Sequence, residues 1–317
     1  MFLLTLSLGI VIMLTSKTWF SVWLGLEINL LSFLPMILFS SGAGSEGGLK
    51  YFLIQALGSL FILQASFSWA LLPHPYLFFT IPLALKLGAA PLHFWLPDVV
   101  KTLPWRINMI LLTVQKTGPL YMLAMVTTNY KLPLLIISVF SLVIGALGGL
   151  NEMDLRKLMA FSSISHMGWM MVGMVLTQTH WVMYFFTYIL TSLSLIMSLN
   201  KMNMFSLGQI LPKGESNILV MVLLLSLGGF PPLLGFAPKW AILTGAVSMS
   251  LLLSFVLIAT SMVTLYYYIR TGLVALTLMS PNVKMNMLTN SKLQTLLTVM
   301  NMAGGVLYMF MWSSLML

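Results

Sequence analysis

Residues 217–247 read NILVMVLLLSLGGFPPLLGFAPKWAILTGAV, an apolar run whose middle, GGFPPLLGFAP from Gly228 to Pro238, is built of residues that end helices. As one straight helix it would rise about 46 Å at 1.5 Å per residue, well over the roughly 30 Å hydrocarbon core of a bilayer. Glycine is entropically costly in a helix, and proline cannot donate to the carbonyl four residues back. The run therefore predicts a membrane helix interrupted halfway across, with Lys239 in the first turn of the second half, directly after Pro238.

Segment 76–100 has the same grammar. Leu85-Lys86-Leu87-Gly88 runs into Ala90-Pro91 and then HFWLPD up to Asp98, so each interrupted helix carries a lysine beside its break. The rest of the chain is equally apolar, with 59% hydrophobic residues, 7% charged residues and a mean hydropathy of +1.00. A soluble chain is about one quarter charged. Cutting at Pro, Gly, Asn and charged clusters gives about eleven membrane helices, near 2–15, 19–40, 50–70, 76–100, 105–128, 132–150, 156–177, 181–199, 217–247, 251–275 and 294–316. The fold class is an all-α polytopic membrane protein in a single membrane domain, 1–317. Placing the breaks in the fourth and ninth helices suggests two five-helix units, 1–130 and 131–275, followed by a C-terminal helix within 276–317. An odd-numbered unit repeated in tandem enters the membrane inverted, as in transporters with discontinuous helices.

The basic residues set the orientation. With the N-terminus inside, the inner loops collect Lys50, Lys101, Arg106, Arg156, Lys157, Lys201, Lys213, Arg270, Lys284 and Lys292, while the outer ones hold Lys17 and Lys131. The net charge of +9 is thus mostly a topology signal, and its scatter in single residues argues against a nucleic-acid partner. The opening MFLLTLSLGIVIMLT has no basic region and no small-residue cleavage site, so no removable leader is expected. Cysteine is absent, which excludes disulfides, thiolate metal sites and cysteine-ligated clusters. Gly42-Ala-Gly44-Ser-Glu-Gly47 matches GxGxxG but joins two membrane helices and follows no strand, which removes the context a dinucleotide site needs. Four scattered histidines do not pair as haem ligands. Tyr266, Tyr267, Tyr268 and Arg270 near a helix end read as an interfacial aromatic belt with a basic anchor.

Four charged groups remain inside membrane spans: Glu27, Lys86, Lys116 and Lys239. At about 2.5–3.5 kcal/mol each, they represent on the order of 10 kcal/mol of unfavourable partitioning, a cost usually associated with ion or proton handling. In low dielectric an amine loses affinity for its proton, and a nearby carboxylate restores it. Glu27 and Lys86 are therefore either a bistable proton-holding pair or a fixed ion pair locking the second helix to the fourth. Lys116 precedes Pro119, which leaves the Gln115 carbonyl without a helical donor; a water or proton donor could sit there, or the lysine is simply stabilised by a local kink. Lys239 reads as a terminal proton donor or a snorkelling anchor. Ser162 and His166 share a face at i and i+4, with Ser163 and Ser165 nearby, and make either a hydrated relay or ordinary interhelical hydrogen bonds. His93 is expected to be satisfied by backbone carbonyls, and His74 and His180 to sit in outer loops.

The tracts GLEINLLSFLP, LALKLGAAPLHFWLPDVV, LRKLMAFSSISHMGWM and GGFPPLLGFAPKWAIL, in this order, resemble the subunit 2 family of mitochondrial NADH:ubiquinone oxidoreductase, respiratory complex I, almost end to end. The resemblance implies an antiporter-like fold of two inverted five-helix units, in the eleven-helix animal form. It implies proton transfer through Glu27 as acidic partner, Lys86 and Lys239 as broken-helix lysines, and Lys116 as connecting lysine. FMN, iron-sulfur clusters and ubiquinone are then expected in other subunits, with no cofactor or metal in this chain. The implied partners are other complex I membrane subunits, including the antiporter-like chain 4 and the small chain 4L, together with membrane lipids. The implied location is the mitochondrial inner membrane, multi-pass, N-terminus in the matrix. Two other readings fit the buried charges: a free-standing cation/proton antiporter, and a structural link between pumping modules.

Overall fold

The computed structural model describes residues 2–40, 44–68, 75–126, 131–207, 215–277, 296 and 298–305. Among these, helices follow one another as α1 (Phe2–Thr15), α2 (Trp19–Leu38), α3 (Gly44–Phe67), α4 (Pro75–Leu87), α5 (Trp95–Thr102), α6 (Trp105–Leu112), α7 (Val114–Val126), α8 (Lys131–Gly148), α9 (Leu155–Leu176), α10 (Gln178–Met202), α11 (Glu215–Gly228), α12 (Phe236–Met249) and α13 (Leu251–Thr277). Seven spans are long and apolar enough to cross a membrane, and three shorter apolar helices accompany them. The described residues hold no β-strand beyond a single bridge between Asp154 and Ser206. The chain is an all-α polytopic membrane protein. Outward-facing Leu31, Leu53, Phe140, Leu251, Leu252 and Phe255 are exposed, as lipid contact requires where no water competes.

The chain forms two compact units, Met1–Ser141 and Leu142–Leu317. In the first, small residues let helix backbones meet. A Cβ on Gly9 would stand 3.0 Å from the Gly25 carbonyl oxygen, which marks the crossing of α1 and α2. A Cβ on Gly58 would stand 3.0 Å from Lys86 Cγ, so α3 leaves room there for the lysine stem. α4 stops at Leu87 in a Schellman turn: Gly88, at φ +71°, donates to Leu85 O at 3.1 Å, and Ala89 to Ala84 O at 2.9 Å. The Ala90-Pro91 bond is cis, and the chain becomes helical again at Trp95.

The second unit repeats this local build. α11 ends in a Schellman turn at Gly229, φ +80°, which donates to Ser226 O at 3.1 Å while Phe230 donates to Leu225 O at 3.1 Å; the Pro231-Pro232 bond is cis, and α12 begins at Phe236. Residues 298–305, which belong to the expected C-terminal helix, pack against this break: a Cβ on Gly305 would stand 2.2 Å from Pro232 O. Asn301 O accepts the Leu234 N–H at 3.2 Å, which satisfies a donor freed by the interruption, and Asn301 Nδ2 reaches Ser194 Oγ at 2.5 Å. Apart from residue 296, the remainder of 294–316 lies outside the described residues. α9 is buried on every side from Ser162 to Val175, the mark of a central helix. It meets α8 where a Cβ on Gly145 would stand 2.5 Å from Ser165 N.

The fifth expected span, 105–128, is present over Trp105–Val126. One residue, Thr113, separates α6 from α7 ahead of Pro119, and Met109 O there accepts both the Thr113 N–H at 3.2 Å and the Thr113 hydroxyl at 2.6 Å.

Candidate functional site

In the first unit the helix break sets Lys86 in place. A helix end leaves its last carbonyls without intrahelical donors. Trp95 Nε1 donates to Leu85 O at 3.0 Å, and Gln55 Nε2 donates to Lys86 O at 3.1 Å. Lys86 Nζ returns the contact by donating to Gln55 O at 2.9 Å. The amine is 6% exposed and fixed against α3 by this reciprocal pair.

Glu27, half-buried on α2, accepts a hydrogen bond from Ser59 Oγ. Among the described residues it forms no direct ion pair with Lys86. Ser59 lies one turn beyond Gln55 on the same face of α3, so that face holds the acid by one residue and the amine by the other. Glu27 and Lys86 are thus charge neighbours held on the same face of α3.

Lys116 is 3% exposed, in the first turn of α7. Lys86 and Lys116 line one cavity of about 20 Å³, with Gln55, Tyr51, Asn29 and Gln115 completing its polar wall. Tyr51 OH donates to Gln115 Oε1 at 3.4 Å. Two amide atoms there are buried without a hydrogen-bond partner among the described residues: Gln115 Nε2, a donor, and Asn29 Oδ1, an acceptor.

In the second unit Lys239, 7% exposed, reaches back across the break and donates to Gly228 O at 2.8 Å. Its Nζ lies 5.8 Å from the Trp169 ring centroid, within cation–π range. Trp169 stacks nearly parallel on Tyr184 at 6.3 Å, and the Tyr184 hydroxyl lies 2.9 Å from His166 Nδ1. The His166 ring is 5.1 Å from the Tyr188 ring. Lys239 and His166 thus belong to one aromatic-lined cluster. Ser162, Ser163 and Ser165 donate to carbonyls of their own helix at 2.7–2.8 Å, and the buried hydroxyls of Tyr268, Tyr188 and Tyr267 lie near Ser162, Ser163 and Ser165 respectively.

That placement corrects the reading of the tyrosine run. Tyr267 and Tyr268 are 0% and 1% exposed, whereas Tyr266 alone faces outward at 60%. The first two point into the unit, with Tyr267 packed on Gly149, and do not form an interfacial belt. His180 is likewise not in a loop: it lies in the first turn of α10, where Thr177 Oγ1 caps its N–H. His93 is buried with Nδ1 3.2 Å from Pro91 O, and His74 is outside the described residues. The sequence reading did not single out Gln55, Ser59, Tyr51, Asn29 or the Gln115 side chain. Their one signal was polarity within an apolar span.

Residues 67–264 match the family model described as the NADH:quinone oxidoreductase/Mrp antiporter transmembrane family. The chain is 39% identical over 286 residues to a protein of Anopheles gambiae named NADH-ubiquinone oxidoreductase chain 2, covering 85% of this chain and 83% of that one. It is 35% identical over 327 residues to the protein of the same name from Ovis aries, covering 96% and 94%. In fold it matches a chain of respiratory complex I from Thermus thermophilus with a TM-score of 0.83 at 24% identity, over 97% of this chain and 76% of the other. It also matches a chain of an archaeal membrane-bound sulfane sulfur reductase with a TM-score of 0.87 at 17% identity, over 98% and 73%. Broken helices with buried lysines, the matched family model and the likeness over nearly the whole chain agree: the chain belongs to the NADH-ubiquinone oxidoreductase chain 2 family.

Proposed function

We propose that this chain is the proton-translocating, antiporter-like membrane subunit of a respiratory complex I, and that it contains no redox centre of its own. NADH oxidation and ubiquinone reduction then take place in other subunits that carry FMN and iron-sulfur clusters, and this chain turns their signal into proton transfer. Its partners are the other complex I membrane subunits, among them the antiporter-like chain 4 and the small chain 4L, in the mitochondrial inner membrane with the N-terminus in the matrix.

The observation that carries the reading is the pair of lysines, Lys86 and Lys239, each buried and bonded to a backbone carbonyl beside a helix break of the same local build. That shared build also supports about eleven membrane helices in two inverted five-helix units, 1–130 and 131–275, with a closing helix in 276–317. Glu27, Lys86, Lys116 and Lys239 carry the proton, with His166 as a relay. A lysine's charge state is set by how its surroundings compare with water, so small movements of a carboxylate or a dipole can tip it. Moving one charge through the membrane potential takes about 2.3 kcal/mol per 100 mV, which fixes the scale the coupling must reach.

The test separates this reading from a free-standing antiporter. The chain purified alone into proteoliposomes should give no exchange when a cation gradient is imposed, whereas the assembled complex should acidify or alkalise its vesicles when fed NADH and a quinone. Cation-driven proton exchange by the chain alone would overturn it.

A further inference from the structure

We propose that the chamber between Lys86 and Lys116 is a binding site for a single water molecule, and that Gln115 and Asn29 are the positioning residues that hold it as the carrier of a proton between the two amines. This rests on the proton-transfer reading and adds residues to it.

The chamber's size is the first argument. About 20 Å³ is room for one water and too little for a chain of them. The second is polarity. A water needs two to four polar partners to be held, and both lysines, Gln55, Tyr51, Asn29 and Gln115 face this space. The third is chemical complementarity. Gln115 Nε2 is a buried donor and Asn29 Oδ1 a buried acceptor, and neither has a partner among the described residues. Burying an amide group without a partner is unfavourable, so two in one small chamber call for a ligand that both donates and accepts. Tyr51 selects the orientation of Gln115: its hydroxyl donates to Oε1 at 3.4 Å, which turns Nε2 away from the tyrosine.

A water offers two protons and two lone pairs. Gln115 N–H takes one lone pair and Asn29 Oδ1 takes one proton, which leaves one lone pair and one proton. These are the complement of one charged and one neutral lysine. The free lone pair accepts a proton from the ammonium of Lys86 as the free O–H gives its proton to the neutral amine of Lys116, so one N–H bond breaks, one forms, and the water is regenerated. The water's bonds to Gln115 and Asn29 are unchanged by the transfer, so reversing the direction needs no reorientation of the frame.

The experiment uses the intact assembled complex. A structure at a resolution that shows ordered water should place one peak within about 3 Å of both Gln115 Nε2 and Asn29 Oδ1. Q115L should remove that peak and slow proton transfer through this subunit by about a hundredfold or more, the range lost with a positioned proton-transfer partner, while NADH oxidation by the uncoupled complex continues. Y51F, which frees Gln115 to turn, should give a smaller loss in the same direction. No peak in the unsubstituted complex overturns the proposal, even if Q115L fails to assemble. Unchanged pumping in Q115L, with K116M abolishing it, overturns the water site and leaves the lysine reading standing. Unchanged pumping in both overturns the two together.

Discussion

Gly88 and Gly229 stand at matching places in the two helix breaks, yet alanine should affect them differently. Both have positive φ, +71° and +80°, so a Cβ at either costs about 1–2 kcal/mol in backbone strain. At Gly88 the nearest atom to a new Cβ is Leu96 Cβ at 3.3 Å, which slight adjustment absorbs. At Gly229 the new Cβ would stand 2.9 Å from Lys239 Cδ and 3.2 Å from its Nζ. The lysine stem must give way, and its 2.8 Å bond to Gly228 O lengthens or breaks. That adds about 1–2 kcal/mol, so G229A should lose roughly 2–4 kcal/mol against 1–2 for G88A. In heat-inactivation half-life of the assembled complex, each 1.4 kcal/mol corresponds to about tenfold if the strain is absent from the transition state. The pumping readout is more discriminating: protons moved per NADH oxidised should fall in G229A, where the amine is displaced, and hold in G88A, where Lys86 is untouched. If both variants pump alike, the close fit of Lys239 against the break has no functional consequence and the reasoning fails.

Y268F should leave thermal stability unchanged or slightly raised, because the buried Tyr268 hydroxyl makes no hydrogen bond among the described residues; a clear loss in the melting temperature of the complex would contradict this. G25V should impair assembly, since a Cβ at Gly25 would stand 2.9 Å from Gly9 O and 2.7 Å from Met13 Cγ; blue-native electrophoresis showing a normal amount of complex would contradict the tight α1–α2 crossing. K50M should leave stability and its salt dependence unaltered within error. Lys50 pairs with Glu46 and Asp98 at 3.2 Å, but all three side chains are substantially exposed, where ion pairs contribute little; a clear loss in a melting assay at low salt would contradict this.

The breaks were legible because the cause is local: glycine and proline at 228–238 and 88–91 cannot continue a helix whatever packs around them. The buried lysines were legible for a similar reason, since charge within an apolar span is conspicuous. What surrounds each lysine was not. Gln55 lies 31 residues from Lys86, and Ser59 lies 32 from Glu27, and only the packing of α3 against α2 and α4 brings them together. Tyr267 and Tyr268 were misread because tyrosines followed by Arg270 near a helix end have the composition of a belt, while helix rotation alone decides which of them turn inward. The break at Thr113 was not legible, because a single threonine in an apolar run gives no sign that its hydroxyl will share the Met109 carbonyl with the helical N–H.

The central claim, that buried amines beside the breaks carry the proton, is tested most directly by the ratio of protons moved to NADH oxidised in reconstituted complex bearing K86M or K239M. Methionine keeps the length of the stem and removes the charge. With the complex assembled in normal amount, the ratio should fall in each variant. A ratio equal to that of the unsubstituted complex would make this chain a structural link and remove the lysines from the mechanism.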